Sequence, residues 1–148
     1  MKKWLCSILL LCITLFSNTG YAENWEDVMI LDECQVYLDT DSIYCDYDNN
    51  AINFRLKSVI SDKGKEAVLA EKNYNSEDEK TFRSIAYQIE EKSYFVAEKI
   101  LYTKQNTFYD INNNVMYVQN KNKGVNLGKD GEYGFEKMVI LKVFEYLR

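Results

Sequence analysis

The segment Ala51 to Ile60, AINFRLKSVI, constrains this chain more than any other. Ile52, Phe54, Leu56 and Ser58 alternate with Asn53, Arg55 and Lys57, so an extended backbone would carry one apolar face and one polar face. Such a strand has to bury its apolar face, and antiparallel sheets commonly do so on one side while leaving the other wet. Turn-forming residues bracket it, with Asp46-Tyr47-Asp48-Asn49-Asn50 before and Ser61-Asp62-Lys63-Gly64 after. A central strand is predicted here.

The cover for that face is sought at the C-terminus. From Phe135 to Leu147 the residues Val139, Ile140, Val143, Phe144 and Leu147 form a helical stripe, opposed by Lys137, Lys142, Glu145 and Arg148. The expected fold is α+β and mainly β: an antiparallel sheet of hairpins or a meander, with the C-terminal helix packed on one face. The same stripe could instead be a docking face for a partner. Trp25 to Leu31, Glu66 to Tyr74, Ser93 to Tyr102 and Thr107 to Val118 read as further strands, the last broken by Asn112-Asn113-Asn114. Residues 76–91 support two readings. Ser76-x-x-Glu79 resembles a capping box ahead of a helical stripe, while Phe82 to Ile89 also alternates like a strand. Asn120 to Gly134 reads as a polar loop; its GVNLGKD falls one residue short of a phosphate-binding loop, with Asp130 where a hydroxyl is required.

The N-terminus sets the compartment. Lys2 and Lys3 precede an apolar run from Leu5 to Phe16, then Ser17-Asn18-Thr19-Gly20-Tyr21-Ala22. This is the pattern of a Sec-type signal peptide cut between Ala22 and Glu23, with a core too short to span a bilayer stably. Cys6 and Cys12 lie within the apolar run rather than at the cut, so no lipidation is expected. After removal of residues 1–22, Glu23 to Arg148 reads as a single β-rich domain with no transmembrane segment. Periplasm, cell surface and secretion all remain open.

Export makes a disulfide the simplest use of Cys34 and Cys45. Their spacing is not the C-x-x-C of a redox pair, and two thiols with no histidine in the chain do not make a zinc site. A turn at Asp39-Thr40 would pair Cys34 with Cys45 and Val36 with Ile43, placing Gln35, Tyr37, Ser42 and Tyr44 on the opposite face. A looser turn over Asp39 to Ser42 would keep the bridge and lose that register. A staple of this length contributes about 2–3 kcal/mol.

Chemistry-bearing patterns are few. The chain carries a net charge of −5, and loss of Lys2 and Lys3 makes it more acidic, so it has no electrostatic footprint for nucleic acid. Asp46, Asp48 and Asn50 have the spacing of calcium ligands, but Ala51 and Lys57 stand where glycine and a bidentate glutamate are needed. An Asx-rich turn is expected there, and no metal or cofactor. Acid pairs such as Asp39/Asp41 or Asp46/Asp48 could in principle serve a hydrolase, yet no motif sets a nucleophile beside a base. The 12 tyrosines suit either strands or protein recognition. Tyr37, Tyr44 and Tyr47 are the candidate binding patch.

Trp25, then VYLDTDSI (Val36 to Ile43), an Asn turn and INFRLKSV (Ile52 to Val59) resemble the N-terminal half of the surface-adhesin protein E-like family. FYDINNNVMY (Phe108 to Tyr117) is similar to that family's later hairpin, with Asn114 where glycine is usual. Asp78-Glu79-Lys80 stands where the family often has a cysteine. The resemblance implies a small exported bacterial domain of antiparallel strands, a strand over 81–90, and attachment to host or matrix proteins. The expected function is therefore a non-catalytic binding module, adhesin-like toward such proteins or toward the producer's own envelope. A periplasmic accessory subunit or inhibitor docking through the C-terminal helix is the alternative, and a carboxylate-based hydrolase the third.

Overall fold

A computed structural model of the protein describes residues 24–71, 74–128 and 134–148. The expected signal segment and its Ala22–Glu23 cut lie outside the described residues. Six strands form one antiparallel sheet in chain order: β1 (Trp25–Ile30), β2 (Cys34–Asp46), β3 (Ala51–Ile60), β4 (Tyr87–Phe95), β5 (Ile100–Tyr109) and β6 (Val115–Asn126). Helices α1 (Asp62–Glu71) and α2 (Ser76–Ser84) connect β3 to β4, and α3 (Gly134–Tyr146) ends the chain. The mainly-β meander with a C-terminal helix on one face is as the alternation of β3 and the stripe of α3 predict.

The core lies between β2–β3 and α3. Val36, Leu38, Ile52, Phe54 and Leu56 meet Val139, Ile140 and Val143, with the Phe144 ring edge-on to Tyr94 at 6.2 Å. Leu38, Leu56 and Val139 have no exposed surface. Burying a side chain of this size contributes about 1.5–3 kcal/mol. Val139, Ile140 and Val143 of the stripe are core, with Phe144 packed against them, whereas Leu147 lies past the end of α3 and is 38% exposed. The outer residues of α3, Leu141 above all, remain exposed.

The hairpin expected between Cys34 and Cys45 is not present, and the disulfide goes with it. β2 is one strand from Cys34 to Asp46, with Cys34 opposite Ile60 and Cys45 opposite Ile52 on β3. Those positions lie roughly 25 Å apart at about 3.3 Å per residue. A bridge needs Cα atoms within about 7 Å, and both thiols are free. Burial pushes the Cys34 thiol above its ordinary pKa.

The polar run Asp39-Thr40-Asp41-Ser42 makes a bulge rather than a turn. Pairing jumps from Asp39↔Arg55 to Tyr44↔Asn53, so Thr40 to Ile43 stand opposite Phe54 alone. The groups that a bulge releases from the ladder have new partners. Ser42 Oγ donates to the Asp39 carbonyl at 2.6 Å and accepts from the Arg55 N–H at 2.8 Å. The Asp39 carboxylate accepts from Arg55 Nε at 2.9 Å and also from Nη2. The VYLDTDSI and INFRLKSV segments are thus joined to each other by Asp39, Ser42 and Arg55.

Further segments differ from expectation. Glu66 to Glu71, read as strand, belongs to α1: Ser61 Oγ accepts from the Gly64 N–H at 3.1 Å as a helix cap, and Glu, Ala and Leu then favour helix. At Gly64 a Cβ would stand 2.2 Å from the Glu33 carbonyl oxygen, so the helix start can approach β2 only without a side chain. Residues 76–91 satisfy both of their readings in succession, helix to Ser84 and strand from Tyr87, so the strand implied over 81–90 begins late. The cap is Asn75 rather than Ser76, its side chain accepting from the Glu77 and Asp78 N–H groups at 3.0 and 2.9 Å. β6 continues through Asn126, where a loop from Asn120 is expected.

Candidate functional site

The odd-numbered residues of β3 point away from α3, and register places their neighbours on the same open face. Near one end, Lys57 Nζ lies 4.3 Å from the Tyr87 ring centroid and 5.6 Å from that of Trp25, while Tyr87 stacks on Tyr109 at 4.7 Å. Tyr37 sits opposite Lys57, its hydroxyl donating to Gln35 Oε1 at 2.6 Å.

Toward the other end the face is polar and partly sealed. Asn53 is 5% exposed, Ser93 and Asp39 not at all. Asn53 Oδ1 accepts from Ser93 Oγ and, at 2.9 Å, from Lys104 Nζ. Among the described residues Asn53 Nδ2 and Asp39 Oδ1 have no hydrogen-bond partner. Two clefts adjoin this cluster. One of about 360 Å³ is lined by Ser42, Tyr44, Asn53, Arg55, Glu91 and Lys104. The other, of about 410 Å³, is walled by Phe95, Ile100 and Tyr102, with Lys104 again at its rim. Phe95 and Tyr102 meet edge-on at 5.5 Å. Lys104 therefore separates a hydrogen-bonding cleft from an aromatic one.

The structure divides the tyrosine patch read from the sequence. Tyr44 is 58% exposed and borders the polar cleft, Tyr47 projects from the β2–β3 turn, and Tyr37 belongs to the Trp25–Lys57 band. Tyr37 and Tyr44 face Lys57 and Asn53 on β3, roughly 13 Å apart. Asn53, Ser93, Lys104 and the Phe95–Tyr102 pair come from β3, β4 and β5, and no local spacing announces them.

One member of each acid pair is engaged structurally. Asp39 is held by Arg55, and Asp46 accepts from the Asn49 N–H at 3.1 Å and from its Nδ2 at 2.8 Å. The FYDINNNVMY turn closes in the same way: Asp110 Oδ1 accepts from the Asn112 and Asn114 N–H groups, both at 2.8 Å, with Asn113 in the left-handed region at φ 64°. Among the described residues no group of three metal-ligating side chains converges.

These bonds hold the Asp110 carboxyl below its ordinary pKa of 3.8, the Asn114 side chain contributing most. A depressed carboxylate stabilises the turn above its unfolded pKa, and that contribution is lost as pH falls through the folded value. The Asp110 side-chain carbon is therefore expected to titrate below 3.8 by NMR, and Asn114→Ala to move the midpoint upward. An unchanged midpoint in that variant would remove Asn114 as the cause.

No family model, curated protein or solved structure matches this chain.

Proposed function

We propose that this chain is an exported bacterial envelope or surface protein acting as a non-catalytic binding module, with a protein ligand received on the open sheet face at Lys104. One observation carries the reading: on the face that α3 leaves uncovered, a polar cleft and an aromatic cleft meet at one lysine above a buried Asn53–Ser93 pair. An aromatic or aliphatic side chain fits the Phe95–Tyr102 cleft, while backbone or polar groups pair with Tyr44, Arg55 and Lys104 beside it. Val139 and Val143 are buried, which favours this face over docking through the stripe of α3. The adhesin-like direction, toward host or matrix proteins, comes from the resemblance. Export rests on residues 1–22 alone now that the thiols are free; intact mass of protein recovered from the producing cell should begin at Glu23.

The test is binding of the mature chain to immobilised matrix proteins and to the producer's envelope proteins. Tyr44→Ala combined with Lys104→Ala should weaken binding by about tenfold or more, the scale of losing a contact residue at a binding-site centre. Tyr37→Ala, in the separate band, should bind as the parent. A double variant that binds normally removes this face from the function.

A further inference from the structure

Among the described residues the sheet has two unpaired edges, and they differ. β1 spans Trp25 to Ile30, whereas β6 runs from Val115 to Asn126 and is paired there on its β5 side alone. Nine of the twelve residues of β6 are exposed, and Met116, Lys121 and Val125 are half-buried. Its first half shows Val115, Tyr117 and Val118 to solvent at 56, 41 and 51%. Its second half carries Lys121 and Lys123, and the strand contains no acid although the chain's net charge is −5. Among the described residues neither lysine is in an ion pair; Glu90 and Glu136 share their groove, and Glu90 is bound to Lys92 at 3.1 Å.

We propose that the free edge of β6 takes an extended segment of a partner protein as a seventh, antiparallel strand, acidic in its first half and aliphatic in its second. Unpaired N–H and C=O groups along an edge supply affinity to any extended chain, and side chains decide which one is accepted. Antiparallel addition continues the pattern of every pair in this sheet. It sets the partner's first half against Lys121 and Lys123 and its second half against Val118, Tyr117 and Val115.

Lysines on an edge also guard it against aggregation, and here the guard is selective by sign. A second β6 placed antiparallel sets Lys121 and Lys123 against the other copy's Val115 to Val118, which offers them no acid, so self-pairing lacks the charge match. The β1 edge of another copy has the fitting order, Glu26-Asp27 then Val28-Met29-Ile30, but Glu26 lies 3.8 Å from Lys142 and Val28 and Met29 pack on the core. A separate acidic strand meets no such competition.

The test titrates the folded mature chain with a synthetic peptide of about 12 residues, glutamate-rich in its first half and valine-rich in its second, alongside the peptide of reversed order. Amide shifts and hydrogen-exchange protection should concentrate on residues 115–126, with the forward peptide tighter. Lys121→Glu with Lys123→Glu should weaken it by about tenfold or more, and Lys121→Gln with Lys123→Gln by less, because the first pair of changes adds repulsion to lost attraction. Sedimentation should show the chain monomeric without peptide. Equal affinity for the two peptide orders, an unaffected charge-reversed variant, or shifts confined to the Lys104 face would each overturn the proposal. So would assembly of the chain through β1, which makes a second copy the occupant. These readouts are separate from loss of ligand at Tyr44 and Lys104, so either surface can fail without the other.

Discussion

Val139→Asp is expected to abolish cooperative folding. Val139 has no exposed surface and opens the α3 stripe, in one core cluster with Ile140, Val143 and the apolar residues of β2 and β3. Aspartate there would bury a charge without a partner, at a cost of several kcal/mol beyond the lost apolar contact. Domains are stable by about 5–15 kcal/mol in total, so a loss of this size at the core's centre leaves little folded population. Ile140→Asp, 6% exposed, should behave alike. Leu141→Asp, on the neighbouring position but 68% exposed, should stay within about 0.5 kcal/mol of the parent. Circular dichroism with urea unfolding separates these cases. A folded Val139→Asp protein that had merely lost a partner would show that α3 is a docking element.

Asp39→Ala should cost about 2–3 kcal/mol by urea unfolding. Removing one member of a fully buried ion pair costs about 3–5 kcal/mol, because the other charge is stranded. The Arg55 side chain is 37% exposed and can reach water, which lowers the figure. The loss is also structural, since the Arg55 fork and Ser42 hold the β2 bulge against β3. Asp39→Asn, which keeps an acceptor of the same shape, should recover part of the difference. An Asp39→Ala protein as stable as the parent would mean that the bulge is held by backbone pairing alone.

What the sequence makes legible is whatever is set by neighbours in the chain. The alternation of Ala51–Ile60 declares a strand with one dry face, and the 139/140/143 stripe declares the helix that dries it. Asp46 with Asn49, and Asp110 with Asn114, close turns from within a few residues. Asp39-Thr40-Asp41-Ser42 has the same local chemistry as those turns and a different outcome. Its deciding partner is Arg55, on the next strand, which no local pattern supplies. Once that bulge is taken for a turn, Cys34 and Cys45 fall into false register and a bridge follows from it.

α1 takes a strand reading from the sequence for a related reason. Ser61 acts as a cap where it looks like a turn residue, and Gly64 is fixed by the Glu33 carbonyl just ahead of β2. The open-face site is the least legible part. Asn53 and Arg55 lie on the strand most clearly foreseen, but Ser93 and Lys104 reach them only through the register of β4 and β5. The tyrosines draw the eye instead, and the structure leaves only Tyr44 beside the cleft.

The polar cleft of the open face depends on β2 being one bulged strand with its cysteines at opposite ends. Spin labels on Cys34 and Cys45 of the mature protein measure that distance. Two reactive thiols are expected, Cys34 slower because burial raises its pKa, with a label separation centred at roughly 25 Å. Thiols that cannot be labelled until reduced, or labels within about 10 Å of each other, would restore the stapled hairpin and dismantle the cleft built on β2.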